Sequence, residues 1–158
     1  MIIKDTIFGD IQYTNSDLLR MPLGLVGMPH LTQFLILDFE KEHAFKALIS
    51  TEEPGINFLI SDPRNFRPDF DFRFLDPTRD ALKVESDEDL SVFVLCTWRG
   101  KLESTTGNLL GPIAVNVKSR KAMQVILESG SYTTHETLRQ PKADESMVTS
   151  EAGSLKVG

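Results

Sequence analysis

Side chains able to do chemistry occur in this sequence mainly as carboxylates. Asp69 and Asp71 are two apart, Glu52 and Glu53 are adjacent, and Glu85, Asp87, Glu88 and Asp89 form a run. General acid–base work needs two such groups in one cleft, with environments that split their proton affinities. These acids flank turn signals and fall on the polar side of their segments, which predicts a solvated face instead. The three histidines, His30, His43 and His135, are far apart in sequence, and none has a second ligand at metal-binding spacing. No Gly-x-Ser-x-Gly elbow, phosphate-cradling glycine loop or His-Glu-x-x-His pattern occurs. Gly24 and Gly27 lie in "LGLVG" without the first glycine of a dinucleotide fingerprint, so they predict a tight turn with close backbone approach. The single cysteine, Cys96, sits in an apolar run and is expected to be a buried, reduced thiol. No metal and no cofactor are implied. The chain reads as a protein that works by binding.

The segment "TTGNLLGPIAVN", residues 105–116, concentrates turn formers around an apolar run. Gly107 can take a positive φ there, and the Asn108 side chain can bond its own backbone. Pro112 lacks an amide donor and marks the start or edge of a strand. Beyond it, Ile113, Val115 and Val117 share one face, while Ala114 and Asn116 share the other. The segment is predicted to be a turn and a strand, with no nucleophile or base.

The elements that must position these residues are short. Apolar segments such as "QFLILDF", "FKALIS", "INFLIS" and "SVFVLCTW" run four to nine residues and are rich in Ile, Val and Phe. That composition favours strands. "FDFRF" puts Phe70, Phe72 and Phe74 on one face and predicts a half-buried strand. "SVFVLCTW" is apolar on both faces, with Val92, Val94, Cys96 and Trp98 against Phe93 and Leu95. Such a strand belongs inside a covered sheet or a closed barrel. Helix signals are few: Asp76 as N-cap with Pro77 at the first helical position, and a single capped turn at Ser86 to Asp89. The expected fold is all-β, mostly antiparallel, barrel-like or sandwich, with one or two very short helices. Residues 1–140 form the expected single domain. Residues 141–158 are polar and read as a weakly ordered tail.

With 158 residues the chain can bury a sizeable core without disulfide or metal. No basic-then-apolar leader and no span of about 18 apolar residues occur, so the cytoplasm is the expected location. The net charge of −6 is uneven: residues 38–90 hold 14 acids against 7 bases. Such a surface repels RNA or DNA and steers a basic protein towards itself.

"TTGNLLGPIAVNVKSRKAMQVILESGSYTTHETL" also resembles the C-terminal half of the FliW family of flagellar assembly factors. The family pattern runs Asn-Leu-x-Ala-Pro-Ile-x-x-Asn, then Gln-Val-Ile-Leu, then Tyr and a basic-histidine stretch. Asn108, Leu109, Pro112, Ile113, Asn116, Gln124, Val125, Ile126, Leu127, Tyr132 and His135 fill those slots. Upstream, Pro22, Gly24, Leu25 and Gly27 are similar to its Pro-x-Gly-Leu-x-Gly segment. Phe58, Asp62, Pro63, Pro68 and Asp69 are similar to its Asp-Pro and Pro-Asp-Tyr segment. Gly111, Met28, Phe70 and Thr134 depart from the pattern, where the family has alanine, phenylalanine, tyrosine and arginine. The resemblance implies a non-enzymatic regulator with two protein partners. One is CsrA, a basic RNA-binding dimer that represses flagellin translation; the other is flagellin itself. No direct nucleic-acid contact and no membrane are implied. On that reading Asp69, Asp71, Glu85, Asp87 and Glu88 form the charged rim of the CsrA interface, with Phe70 as its apolar anchor if the ring is exposed. Gly24, Gly27, Asn108, Pro112 and Asn116 are structural motif positions. The rival reading is a β-barrel holding a small apolar ligand, which requires an internal cavity.

Overall fold

A computed structural model describes residues 1–128 and 132–138 in full, and the backbone of 155–157. In chain order the strands are β1 (Ile2–Thr6), β2 (Gly9–Gln12), β3 (Leu19–Arg20), β4 (Gln33–Phe39), β5 (Phe45–Ser50) and β6 (Asn57–Ser61). After one helix, α1 (Asp76–Ala81), come β7 (Leu90–Thr97), β8 (Thr106–Gly107), β9 (Ile113–Asn116), β10 (Lys121–Gln124), β11 (Glu136–Thr137) and β12 (Leu155–Val157).

β4, β5, β6 and β7 form an antiparallel meander in which each strand pairs with the next. β3 lies antiparallel to β4 and parallel to β10, and β10 pairs with β9. β9 then returns to β7, with Phe93 opposite Ile113 and Leu90 opposite Asn116. Seven strands therefore close into a ring, which removes most of the exposed edges of an open sheet; β3 covers β4 only at Gln33 and Phe34. Further along the same edge of β7, Cys96 and Thr97 pair with β8, which in turn pairs with β11.

Period-two alternation divides each strand between the barrel interior and an outer layer. Phe34 and Ile36 of β4, Leu48 of β5, Ile60 of β6, Ile113 and Val115 of β9 and Ala122 of β10 fill the interior, with Leu19, Met21, Leu25 and Leu31. Full burial of each large side chain stabilises the fold by about 1.5–3 kcal/mol. These side chains occupy the space that an internal ligand would need. Leu35 and Leu37 of β4, with Ala47 and Ile49 of β5, face outward beneath the β1–β2 hairpin, against Ile3 and Ile11. Val92 and Val94 of β7 face a third cluster built from Phe66, Phe70, Leu75, Leu102, Leu109 and Tyr132. β7 thus separates two cores, as its doubly apolar sequence predicts. Trp98 falls beyond the strand and is exposed.

Several local expectations are corrected. "FDFRF" is no strand: Phe72–Leu75 is a 3-10 turn capped by Asp71, whose side chain accepts from the Arg73 amide. The cap and the flanking prolines, Pro68 and Pro77, keep this segment off any sheet, and its rings close around Tyr132 instead. Helix α1 begins at Asp76 with Leu75 as its cap, one residue earlier than expected and without a side-chain cap bond. Gly107 pairs in β8 and has no positive φ. Its glycine serves close packing, because a Cβ there would sit 3.0 Å from the Phe66 ring. Apart from these corrections, most of the expected tail lies outside the described residues; its segment 155–157 pairs with β4 as a strand. Other expectations hold. Asn108 Oδ1 accepts from the amides of Leu110 and Gly111. Pro112 directly precedes β9 and offers its carbonyl to the Val125 amide. Ser86 caps a single turn at Asp87–Asp89.

Candidate partner-binding surface

Residues 62–89 leave β6, cover the outer face of the barrel and return at β7. The segment carries nine acids and five bases, and its fold pairs many of them locally. One device appears twice. Asp62 accepts from the Arg64 amide at 2.9 Å while its second oxygen meets the Arg64 guanidinium at 2.7 Å. Asp71 does the same with Arg73, at 3.0 Å to the amide and 2.8 Å to the guanidinium. In each case an Asp-x-Arg triplet caps a 3-10 turn and closes a chelate. The Arg73 bonds hold the Asp71 carboxyl below the usual carboxylate range, and Asp71 holds the guanidinium above its own.

Farther along, Arg79 of α1 bridges Asp76 and Asp87, tying the helix to the acidic turn before β7. Asp89 is buried and reaches Lys118 at 3.4 Å. Asn116 locks this corner: its Nδ2 donates to the Leu82 carbonyl at 2.9 Å, and its Oδ1 accepts from the amides of Lys118 and Ser119. Between α1 and the β9–β10 turn lies a polar cleft of about 410 Å³, lined by Lys83, Glu85, Asp89, Asn116, Lys118, Ser119 and Lys121, together with Ala81 and Leu82.

The predicted rim residues therefore divide. Glu85, Asp87 and Glu88 are exposed in the run before β7, and Glu85 and Glu88 have no ion-pair partner among the described residues. Asp69 is exposed and meets Arg67 at 3.4 Å. Asp71 is half-buried and committed to its cap. Phe70 does not meet the condition for an anchor. At 5% exposure it stacks on Tyr132, ring centroids 5.0 Å apart, and meets Phe72 edge-on. Tyr132 is the hub that sequence reasoning left without a role. Its hydroxyl accepts from the Asp71 amide at 2.7 Å, and the Arg67 guanidinium covers its ring at 5.1 Å. The Asp-x-Arg spacing was the available signal for the turns; nothing local to Tyr132 announced a partner 61 residues away.

The other carboxylate pair is also structural. Glu52 accepts from the amides of Thr32 and Gln33, while Glu53 meets His30 at 3.3 Å. Among the described residues, no three His, Cys, Asp or Glu side chains gather as metal ligands. Gly24 makes the close approach expected of it, with φ +66° and a hypothetical Cβ 2.6 Å from the Met28 carbonyl oxygen. Gly27 has φ +85° and open space. Gln124 then pins this loop, accepting from Val26 N and donating to the Gly111 carbonyl.

The family model described as "FliW protein" matches residues 2–138. The chain belongs to the FliW family. It is 36% identical over 126 residues to a flagellar assembly factor FliW from Caldanaerobacter subterraneus subsp. tengcongensis, covering 79% of this chain and 84% of that protein. It is 35% identical over 134 residues to the Bacillus velezensis flagellar assembly factor FliW, covering 85% and 94%. A crystal structure of the flagellar assembly factor FliW superposes with TM-score 0.80 at 29% identity, over 90% of this chain and all of that one. The protein is thus a member of a family of flagellar assembly factors with a mostly antiparallel β-barrel fold. Among the described residues, no helix is long and apolar enough to cross a membrane.

Proposed function

We propose that this FliW family member binds CsrA in the cytoplasm and relieves its repression of flagellin translation, and that it binds flagellin as its second, chaperone-like partner. Residues 1–140 are the unit that does this, with 141–158 as an appended tail. The observation that carries the reading is the exposed acidic corner at Glu85, Asp87 and Glu88, extended by Asp69 along the same covering segment. A rim of this sign attracts a basic RNA-binding protein and repels the RNA itself. Two of these acids have no ion-pair partner among the described residues, so their charge is available to a partner.

The test is calorimetric titration with purified CsrA at low and raised salt. Exposed charges are screened over about 8–10 Å at physiological ionic strength, so affinity is expected to fall as salt rises. Glu85→Lys with Glu88→Lys is expected to weaken binding roughly tenfold and to flatten the salt dependence. These two positions are preferred over Asp71 and Asp87, whose charges also hold the fold. Unchanged CsrA affinity in that double variant would remove the acidic corner from the interface. Binding to flagellin alone would restrict the protein to its second partner.

A further inference from the structure

β4 has two edges, and they are used differently. One is paired with β5 from Phe34 to Asp38. The other carries two short pieces in line: β3 opposite Gln33 and Phe34, then β12 opposite Leu37, Asp38 and Phe39. Because β5 already takes Leu37 and Asp38 on its own side, β12 must lie on the edge that β3 leaves free. The seven-strand ring closes through β3 and β10 without β12. β12 is therefore an added strand, laid on an edge that the barrel itself does not fill.

An unfilled edge is a row of backbone donors and acceptors, and adding an extended peptide to it is a recurrent mode of recognition. The resident segment indicates which peptide fits. Its sequence alternates apolar, basic, apolar: Leu155, Lys156, Val157. The register sets the Lys156 position opposite Asp38, with Leu155 and Val157 opposite Phe39 and Leu37. Leu37 is buried in the outer core and Phe39 packs against it, so that row of the edge is apolar. Asp38, which also pairs with Lys46 of β5, stands opposite the Lys156 position, and the exposed Glu40 adds negative charge beside it. The pairing spans only three residues and is tethered through residues 139–154. A tethered occupant acts at roughly millimolar effective concentration, a level that a longer external strand can overcome.

We propose that this edge of β4 is a docking groove for an extended peptide of apolar–basic–apolar pattern, and that Leu155–Val157 is its built-in, displaceable occupant. A partner's strand and the chain's own C-terminal segment compete for the same backbone groups, so the tail tunes the affinity of the groove. This site is separate from the acidic corner and stands whether or not CsrA binds there.

The experiment compares the full chain with a chain ending at Ser154, each titrated with an acetylated peptide of residues 153–158 (GSLKVG). The readouts are backbone amide NMR and calorimetry. The peptide is expected to shift the Leu37–Phe39 amides of the shortened chain and to bind the full chain at least tenfold more weakly. The same peptide with Lys156→Glu is expected to bind the shortened chain less well. Equal binding to both chains, shifts elsewhere, or no binding by a shortened chain with a dispersed spectrum would each overturn the proposal. A full-length L155P/V157P variant supplies an independent readout if the shortened chain does not fold. Its Leu37–Phe39 amides are expected to exchange with solvent faster than those of the parent, and unchanged exchange would also count against the groove.

Discussion

The phenolic oxygen of Tyr132 accepts the backbone amide of Asp71 at 2.7 Å while its ring stacks on Phe70 at 5.0 Å. One side chain from the far end of the domain thus satisfies a backbone donor in the covering segment and seals the outer core. The acidic corner is carried on that segment, so its placement depends on this seal.

Tyr132→Phe keeps the stacking and deletes the acceptor. Leaving a partly buried amide unpaired costs about 1–2 kcal/mol. The loss is expected as a lower urea midpoint with an unchanged slope. Tyr132→Ala also opens a cavity and is expected to cost about 3–5 kcal/mol. Equal stability of the parent and the phenylalanine variant would show that the bond carries no net energy.

Asn116 is the second joint, linking the end of α1 to the β9–β10 turn through two donor bonds, to the Leu82 and Lys83 carbonyls, and two acceptor bonds. Asn116→Ala strands the Lys118 and Ser119 amides together with the Leu82 carbonyl. Its expected cost is about 2 kcal/mol. A structural joint predicts that hydrogen exchange speeds up at residues 118 and 119 first, while the barrel interior stays protected. Exchange that rises uniformly would argue against a local role.

The barrel was legible in the sequence because its information is local. The short Ile-, Leu- and Phe-rich runs of β4 and β5, the doubly apolar β7 and the turn residues between strands each act within a few positions. The "FDFRF" error shows the limit. Period two over Phe70, Phe72 and Phe74 fits a strand, yet the Asp71 cap and the Tyr132 hydroxyl decide the backbone, and the second of these comes from 61 residues away. The exposed acidic corner was legible in part for the same reason. Exposure of Glu85, Asp87 and Glu88 follows from a polar run at a capped turn. Burial of Phe70 depends on a ring supplied by a distant segment. Closure of the ring by β9 on β7, and the pairing of β12 with β4, are likewise non-local and left no pattern to read.

Gly24 and Gly27 both hold positive φ, but only Gly24 lacks room for a side chain. Gly27→Ala is expected to cost about 1–2 kcal/mol, from left-handed backbone strain alone. Gly24→Ala adds a Cβ at 2.6 Å from the backbone of Met28 and Pro29, which no side-chain rotation relieves. Its expected cost is larger, about 3 kcal/mol or more, because the loop must move. Thermal unfolding of the two variants measures the difference, and similar midpoints would show that the loop yields easily.

Cys96 packs against the outer core, its thiol donates weakly to the Val94 carbonyl, and burial pushes its pKa up to about 12. Thiolate is the reactive form, so native protein at pH 8 is expected to label slowly with a thiol reagent, and unfolding in urea should speed labelling more than tenfold. The sign of the pH effect follows from the same shift. The neutral thiol is favoured in the fold, so its contribution is complete below the unfolded thiol's pKa near 9. That contribution is lost as pH rises from there towards 12, because only the unfolded chain ionises readily in this window. Cys96→Ala removes this component, and its stability is expected to fall less steeply than the parent's between pH 9 and 10.5. Parallel curves for the two proteins, or rapid native labelling at pH 8, would place the thiol in contact with solvent.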